Sequence, residues 1–419
     1  MKTTVSINEL IVCLILTAVL GEFHFWGLWT ADGIYKKLVM ITAVLSAAVL
    51  CLRNNQANRM VFHKYKSAVR YMISILIFAF FVQFYYFALF STGVSIYEYL
   101  ADSGRFTYFI ALIPLVYIFE NEKLNRMFWN GFQMIAFVQI LIGEISDFIL
   151  HYFGINVLNS ATSWRGGRLG ILIVVPLVYL PMIKALSDLL NKRTKNSVFH
   201  VIFLALGIHF GVFISKNRSG FLAFFAAAAV MILTGRADRR NKILRNWLLT
   251  AAGTGVAAYA FFAGYVHALF SISGGEFASS NNAHIAAVLE CWNYFKEHPL
   301  LGAGFRLHWP VSYCDAGFTG LLANIGIFGF FLFFIPELKA VIRVIRVSVR
   351  KKDSAEIAAF KGFTVFAFFT AFTFILTDES RMMGWIIIYS YMSYMFANQP
   401  EPFKSENDGG MQWEKKYIL

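Results

Sequence analysis

Polar and apolar positions in this chain come in blocks and do not alternate. Predominantly apolar runs lie near 8–30, 37–52, 71–93, 106–120, 127–151, 169–190, 199–215, 219–234, 246–266, 317–338, 358–377 and 383–397, with short polar or basic segments between them. A bilayer core about 30 Å thick is crossed by roughly 20 apolar residues in a helix. A membrane β-strand instead shows alternation over about ten residues. The pattern therefore predicts an all-α fold, a polytopic integral membrane helical bundle of about twelve transmembrane helices. The first run follows only Lys2 and contains Glu22 and His24. No A-x-A-like cleavage site follows a short apolar core, so it reads as a retained helix and not a signal peptide.

Composition agrees: 58% of residues are hydrophobic, 15% are charged and the mean hydropathy is +0.59, well outside the range of soluble globules. Charge orients the bundle. With the N-terminus in the cytoplasm, 27 of the 37 basic residues fall on the inner side, as the positive-inside rule expects. The formal charge of +13 is then explained by basic loops facing an anionic leaflet, and no nucleic-acid partner is needed. Both termini are expected in the cytoplasm, the polar tail 398–419 included, and residues 1–419 read as one domain.

One outward loop, 267–316, is much longer than the others. Within it Ile285, Val288, Leu289, Trp292 and Phe295 recur at helical spacing, opposite His284, Glu290, Asn293, Lys296 and Glu297. This predicts an amphipathic helix at the membrane surface, capped by Asn281 or Asn282 and ended by Pro299, Gly302 and Gly304. Cys13 and Cys51 read as small packing residues. Cys291 and Cys314 share the outer loop, where a disulfide is permitted by compartment but not established by spacing.

Several chemistries drop out. There is no C-x-x-C, no histidine pair at metal spacing, no phosphate-binding G-x-x-x-x-G-K-[ST] and no G-x-S-x-G elbow, so neither a metal nor a nucleotide cofactor is expected. What remains is a set of outward charges: Arg105, Arg165, Arg168, Arg218, Arg306 and Arg381, with Asp315, Asp378 and Glu379. Arg165 and Arg168 sit in Trp164-Arg165-Gly166-Gly167-Arg168-Leu169-Gly170, and Arg218 in the tight Lys216-Asn217-Arg218-Ser219-Gly220 turn. Guanidinium groups at a membrane edge suit a lipid phosphate or pyrophosphate; the same groups also snorkel to headgroups in proteins that bind neither.

Four segments, in order, carry a resemblance: Arg168-Leu169-Gly170, Asn217-Arg218-Ser219-Gly220, His298-Pro299-Leu300-Leu301-Gly302-Ala303-Gly304, and Asp315-Ala316-Gly317-Phe318 with Asn324-Ile325-Gly326. Together with the long outer loop, they resemble the bacterial O-antigen polymerase and O-antigen ligase superfamily of polytopic glycosyltransferases. The resemblance covers about 165–330. It implies glycan transfer at the outer face of the bacterial inner membrane, from an undecaprenyl-pyrophosphate-linked oligosaccharide to a sugar hydroxyl on a glycan acceptor, without metal or nucleotide. It also implies flippase and chain-length regulator proteins as possible partners. Arg168 and Arg218 would hold the donor pyrophosphate, with Arg165 beside them. The family often has His-Asn where this chain has Asp315-Ala316, which moves the base to Asp315; a helix N-cap is the alternative role for that residue, and His308 and His284 are alternative bases. Many relatives carry an arginine at the start of the outer-loop helix, where this chain has Asn282-Ala283-His284, leaving Arg306 or His284 for a third phosphate contact.

Polymerase, ligase and, from another class, a 12-span transporter or flippase all fit the pattern. The absence of the histidine associated with ligases favours the polymerase. Gly235–Lys242 resembles a carrier signature one residue short, but no half-to-half repeat accompanies it.

Overall fold

The computed structural model describes residues 6–22, 34–52, 62–90, 93, 95–155, 164–165, 168–169, 175–191, 197–214, 218–234, 278–304, 316–347, 354–372 and 382–398. The expected span 246–266 and most of the tail lie outside these residues. So do Arg306, His308, Cys314, Asp315, Asp378, Glu379 and Arg381.

The described chain is helical. In order it forms α1 (Ile7–Glu22), α2 (Ile34–Leu52), α3 (Lys66–Phe90), α4 (Ile96–Ser103), a 3-10 turn (Gly104–Ala111), α5 (Leu112–Glu120) and α6 (Glu122–Phe153). Then come β1 (Trp164–Arg165) and β2 (Arg168–Leu169), α7 (Val175–Asn191), α8 (Ser197–His209) with a π turn at Phe210–Ile214, and α9 (Arg218–Thr234). The chain continues through α10 (Ala278–Glu297), α11 (Gly317–Val347), α12 (Ala355–Ala371) and α13 (Met382–Asn398). Among the described residues four helices are long and apolar enough to cross a membrane: Lys66–Phe90, Glu122–Phe153, Ser197–Ile214 and Gly317–Arg346. Shorter apolar helices, Ile7–Gly21, Met40–Leu52, Phe106–Glu120 and Ser219–Thr234, lie in further expected spans.

Local chemistry sets the ends of the longest helix. Asn121 caps α6 by accepting from Leu124 N at 3.2 Å, and Gly154 closes it in the left-handed conformation, its N–H donating to Leu150 O at 3.0 Å. Ser354 caps α12 in the same way, accepting from Ile357 N.

Burial separates two kinds of helix. In α13 every residue from Met382 to Met392 is buried, as expected of a helix apolar on all sides at the centre of a bundle. In α3, by contrast, Ile77, Phe80 and Phe81 are exposed, and these large apolar side chains form the face that lipid would cover. Cys13 and Cys51 are on helices as expected but on exposed faces, so they do not pack in the core.

Side chains distant in sequence meet at the ends of the helices. At one end Lys64 bonds Glu120 and Asn398, and Lys123 bonds Glu9 at 2.7 Å. This is called the basic end below. At the far end, where α3 and α12 finish and α11 begins, the ring of Phe90 meets His298 edge-on, with centroids 4.9 Å apart.

Three expectations about helix limits are corrected. The span placed at 169–190 begins only at Val175: Arg168–Leu169 pairs antiparallel with Trp164–Arg165 across a Gly-Gly connection, the composition of a tight hairpin. The span 317–338 continues to Val347 and is interrupted at Gly326. Asn281 and Asn282 do not cap α10, because the helix already includes Ala278.

Candidate functional site

The far end is organised by the loop after α10. Pro299 lies two residues beyond the helix end at Glu297, and the chain then folds against the interruption in α11. Ala303 N donates to Ala323 O at 2.7 Å and Gly304 N to Asn324 O at 3.0 Å. In return Ile327 N donates to Pro299 O at 2.9 Å and Phe328 N to Leu300 O at 3.2 Å. A helix broken within a membrane span frees backbone donors and acceptors that lipid cannot satisfy, and here the loop supplies their partners. Tyr86, from α3, places its hydroxyl 2.6 Å from Leu301 O and 2.7 Å from Asn324 O, two carbonyls sharing one proton.

Two glycines make this contact possible. Gly302 has φ +75° and Gly326 φ +64°, a region costly for other residues. A Cβ on Gly302 would lie 2.5 Å from the carbonyl carbon of Asn324, and one on Gly326 would lie 2.3 Å from Leu300 O. Both obstacles are backbone and cannot swing away. The His298–Gly304 and Asn324–Gly329 segments, separate in sequence, therefore form one backbone-paired unit.

A helix, α10, covers the residues expected to form the amphipathic segment. Its most buried side chains are Ala287 and Cys291, packed on Ala316, which precedes α11, and on Ala323 within it, where small side chains permit close approach. Ile285, Leu289 and Trp292 point outward and are 45%, 59% and 44% exposed. Cys291 is a buried free thiol; burial, with a smaller contribution from Glu290, pushes its pKa up to about 12. Its expected partner Cys314 is outside the described residues. His284 is half-buried on this helix.

Of the expected phosphate ligands, Arg165 and Arg168 are cross-strand partners in the small hairpin, which lies between the far-end terminus of α6 and the start of α7. Arg218 opens α9 after α8 has run to the same end, and a helix start carries the positive end of the backbone dipole. The cap position of α11 falls on Ala316, whose carbonyl accepts from Gly320 N, and not on Asp315 one residue earlier.

Neither a protein-family model nor a curated protein matches the chain.

Two features of this end escaped the sequence reading. Tyr86 was signalled only by a Tyr-Tyr pair late in an apolar run. Glu144 of α6 accepts from or donates to His209 Nδ1 at 2.8 and 3.0 Å through its two oxygens, depending on the protonation of the pair. The π turn that begins one residue later leads to Arg218. A carboxylate holding an imidazole is standard acid–base equipment; the 65-residue separation of the two hid it.

Proposed function

We propose that this chain is a glycan polymerase of the bacterial inner membrane that uses undecaprenyl-pyrophosphate-linked oligosaccharides. The observation that supports the reading is the backbone-paired unit of His298–Gly304 with Asn324–Gly329, built at the end of the bundle where the helix opened by Arg218 begins. In the proposed reaction a sugar hydroxyl of one oligosaccharide attacks the anomeric carbon of another. A new C–O bond forms as the bond from that carbon to the pyrophosphate breaks. The hydroxyl proton passes to a base, assigned to Asp315 with His308 or His284 as alternatives, and undecaprenyl pyrophosphate leaves with the bond electrons. Arg165, Arg168, Arg218 and Arg306 would neutralise the charge that grows on the leaving group, which is the main electrostatic need of such a step.

The test is the surface glycan of cells lacking the protein. The expected result is single repeat units on the lipid carrier or acceptor, with long chains restored by the wild type but not by Arg218→Ala or Asp315→Ala. Long chains stranded on undecaprenyl pyrophosphate would make the protein a ligase that transfers finished glycan to an acceptor such as lipid A-core. An unchanged glycan profile would overturn the reading and leave transport.

A further inference from the structure

Glu337 has no place in the chemistry above. It lies on α11 directly after Pro336, is 1% exposed, and neither of its carboxyl oxygens has a hydrogen-bond partner. Among the described residues no other carboxylate is buried with both oxygens unpartnered. One turn earlier on the same helix, the carbonyl of Phe333 receives the Tyr71 hydroxyl of α3 at 3.3 Å and the Tyr389 hydroxyl of α13 at 3.2 Å. Tyr71 and Tyr389 thus converge one turn from Glu337 without bonding its oxygens. The rings of Phe106 and Phe109, each within 6 Å of Phe333 between centroids, wall the site.

We propose that Glu337 is a proton-binding site inside the bundle, exchanging its proton with water from the basic end. A full negative charge with no partner in such a place costs several kcal/mol. A proton on one oxygen removes the charge and leaves a neutral carboxyl, which costs far less to bury. A hard metal cation is a poorer occupant, because it asks for six or more oxygens where the wall is largely aromatic. The route is short. Arg346, exposed near the end of α11, is nine residues on, and Tyr71 is five residues from the start of α3. At about 1.5 Å per residue these are depths of roughly 14 Å and 8 Å.

Among the described residues no cation bonds Glu337. On the same helix Lys339 and Arg346 are exposed, while Arg343 lies over the ring of Phe396, 5.3 Å from its centroid. On α3 Arg70 is exposed; α13 has no charged residue; and Lys361 of α12 bonds Thr234 at 3.2 Å. The proposal is independent of the glycan reading.

The test uses the full chain in lipid membranes. Infrared spectra of the wild type should contain a protonated-carboxyl stretch that is lost in Glu337→Gln and shifts when the membrane is transferred to heavy water. A hydrophobic carbodiimide should label Glu337, mapped by mass spectrometry on the wild type, with labelling that falls as pH rises and is indifferent to sodium. Absence of label at Glu337, a carboxyl band that never shifts in heavy water, or protection by sodium would each overturn the proposal. The labelling arm needs no variant, so it stands even if Glu337→Gln fails to fold.

Discussion

The two ends of the bundle are held by different chemistry. At the far end, chain segments about 25 residues apart are joined backbone to backbone, with glycines where side chains would collide. At the basic end, Lys64, Glu120 and Asn398, drawn from all along the chain, are joined by side chains, with Tyr65 adding its hydroxyl to the Glu120 carboxylate. Backbone pairing fixes geometry closely and tolerates no added atom. Charged side chains at a half-exposed surface adapt, and water replaces a lost partner cheaply. A site that must hold a leaving pyrophosphate gains from the first kind of construction.

Substitutions should separate the ends clearly. Gly326→Ala and Gly302→Ala should be the most damaging, on the order of 3 kcal/mol or more, since each adds backbone strain to a collision with main-chain atoms. Thermal unfolding in detergent checks this, and a wild-type midpoint for either variant would mean that the two segments do not meet as described. Tyr86→Phe removes one hydroxyl from two buried carbonyls and should cost roughly 1–3 kcal/mol. Glu120→Gln at the basic end should cost about 1 kcal/mol at most, because the ion pair with Lys64 is partly solvated at 28% and 35% exposure, and the loss should shrink in high salt.

Cys291 sharpens the comparison through pH. Its folded-state pKa is raised to about 12 by burial against α11, so the fold favours the neutral thiol. That contribution is complete below the ordinary thiol value and is lost as pH rises from there towards about 12. Stability should therefore decline over this alkaline window, and Cys291→Ala should flatten the decline. A maleimide should react with the exposed Cys13 and Cys51 before Cys291 in the folded protein.

The sequence made some of this legible. Because apolar length is the dominant constraint in a bundle of this kind, apolar blocks located most of the described helices, though one end moved by nine residues, from 338 to Val347. His298–Gly304 and Asn324–Gly329 stood out for their glycines, and they are the segments that pair. The apolar spacing of α10 marked a membrane-surface face but did not name the residues that contact α11. Against a helix the close contact goes instead to small residues, Ala287 and Cys291, and a chain surrounded by lipid has no reason to bury Leu289 or Trp292. The Arg168–Leu169 strand was missed because two residues carry no periodicity. Glu144 with His209, and Glu337 with Tyr71 and Tyr389, join residues from different helices, which no local pattern records. Glu337 was visible as a lone acid in an apolar run, yet only its unpartnered oxygens mark it out.

The central claim is best tested by reconstitution. Purified protein in liposomes, supplied only with undecaprenyl-pyrophosphate-linked repeat units and a metal chelator, should release undecaprenyl pyrophosphate as longer glycans appear on the remaining carrier. Arg218→Ala should reduce the release sharply. If the folded wild-type protein releases no undecaprenyl pyrophosphate from these units, the polymerase account is contradicted.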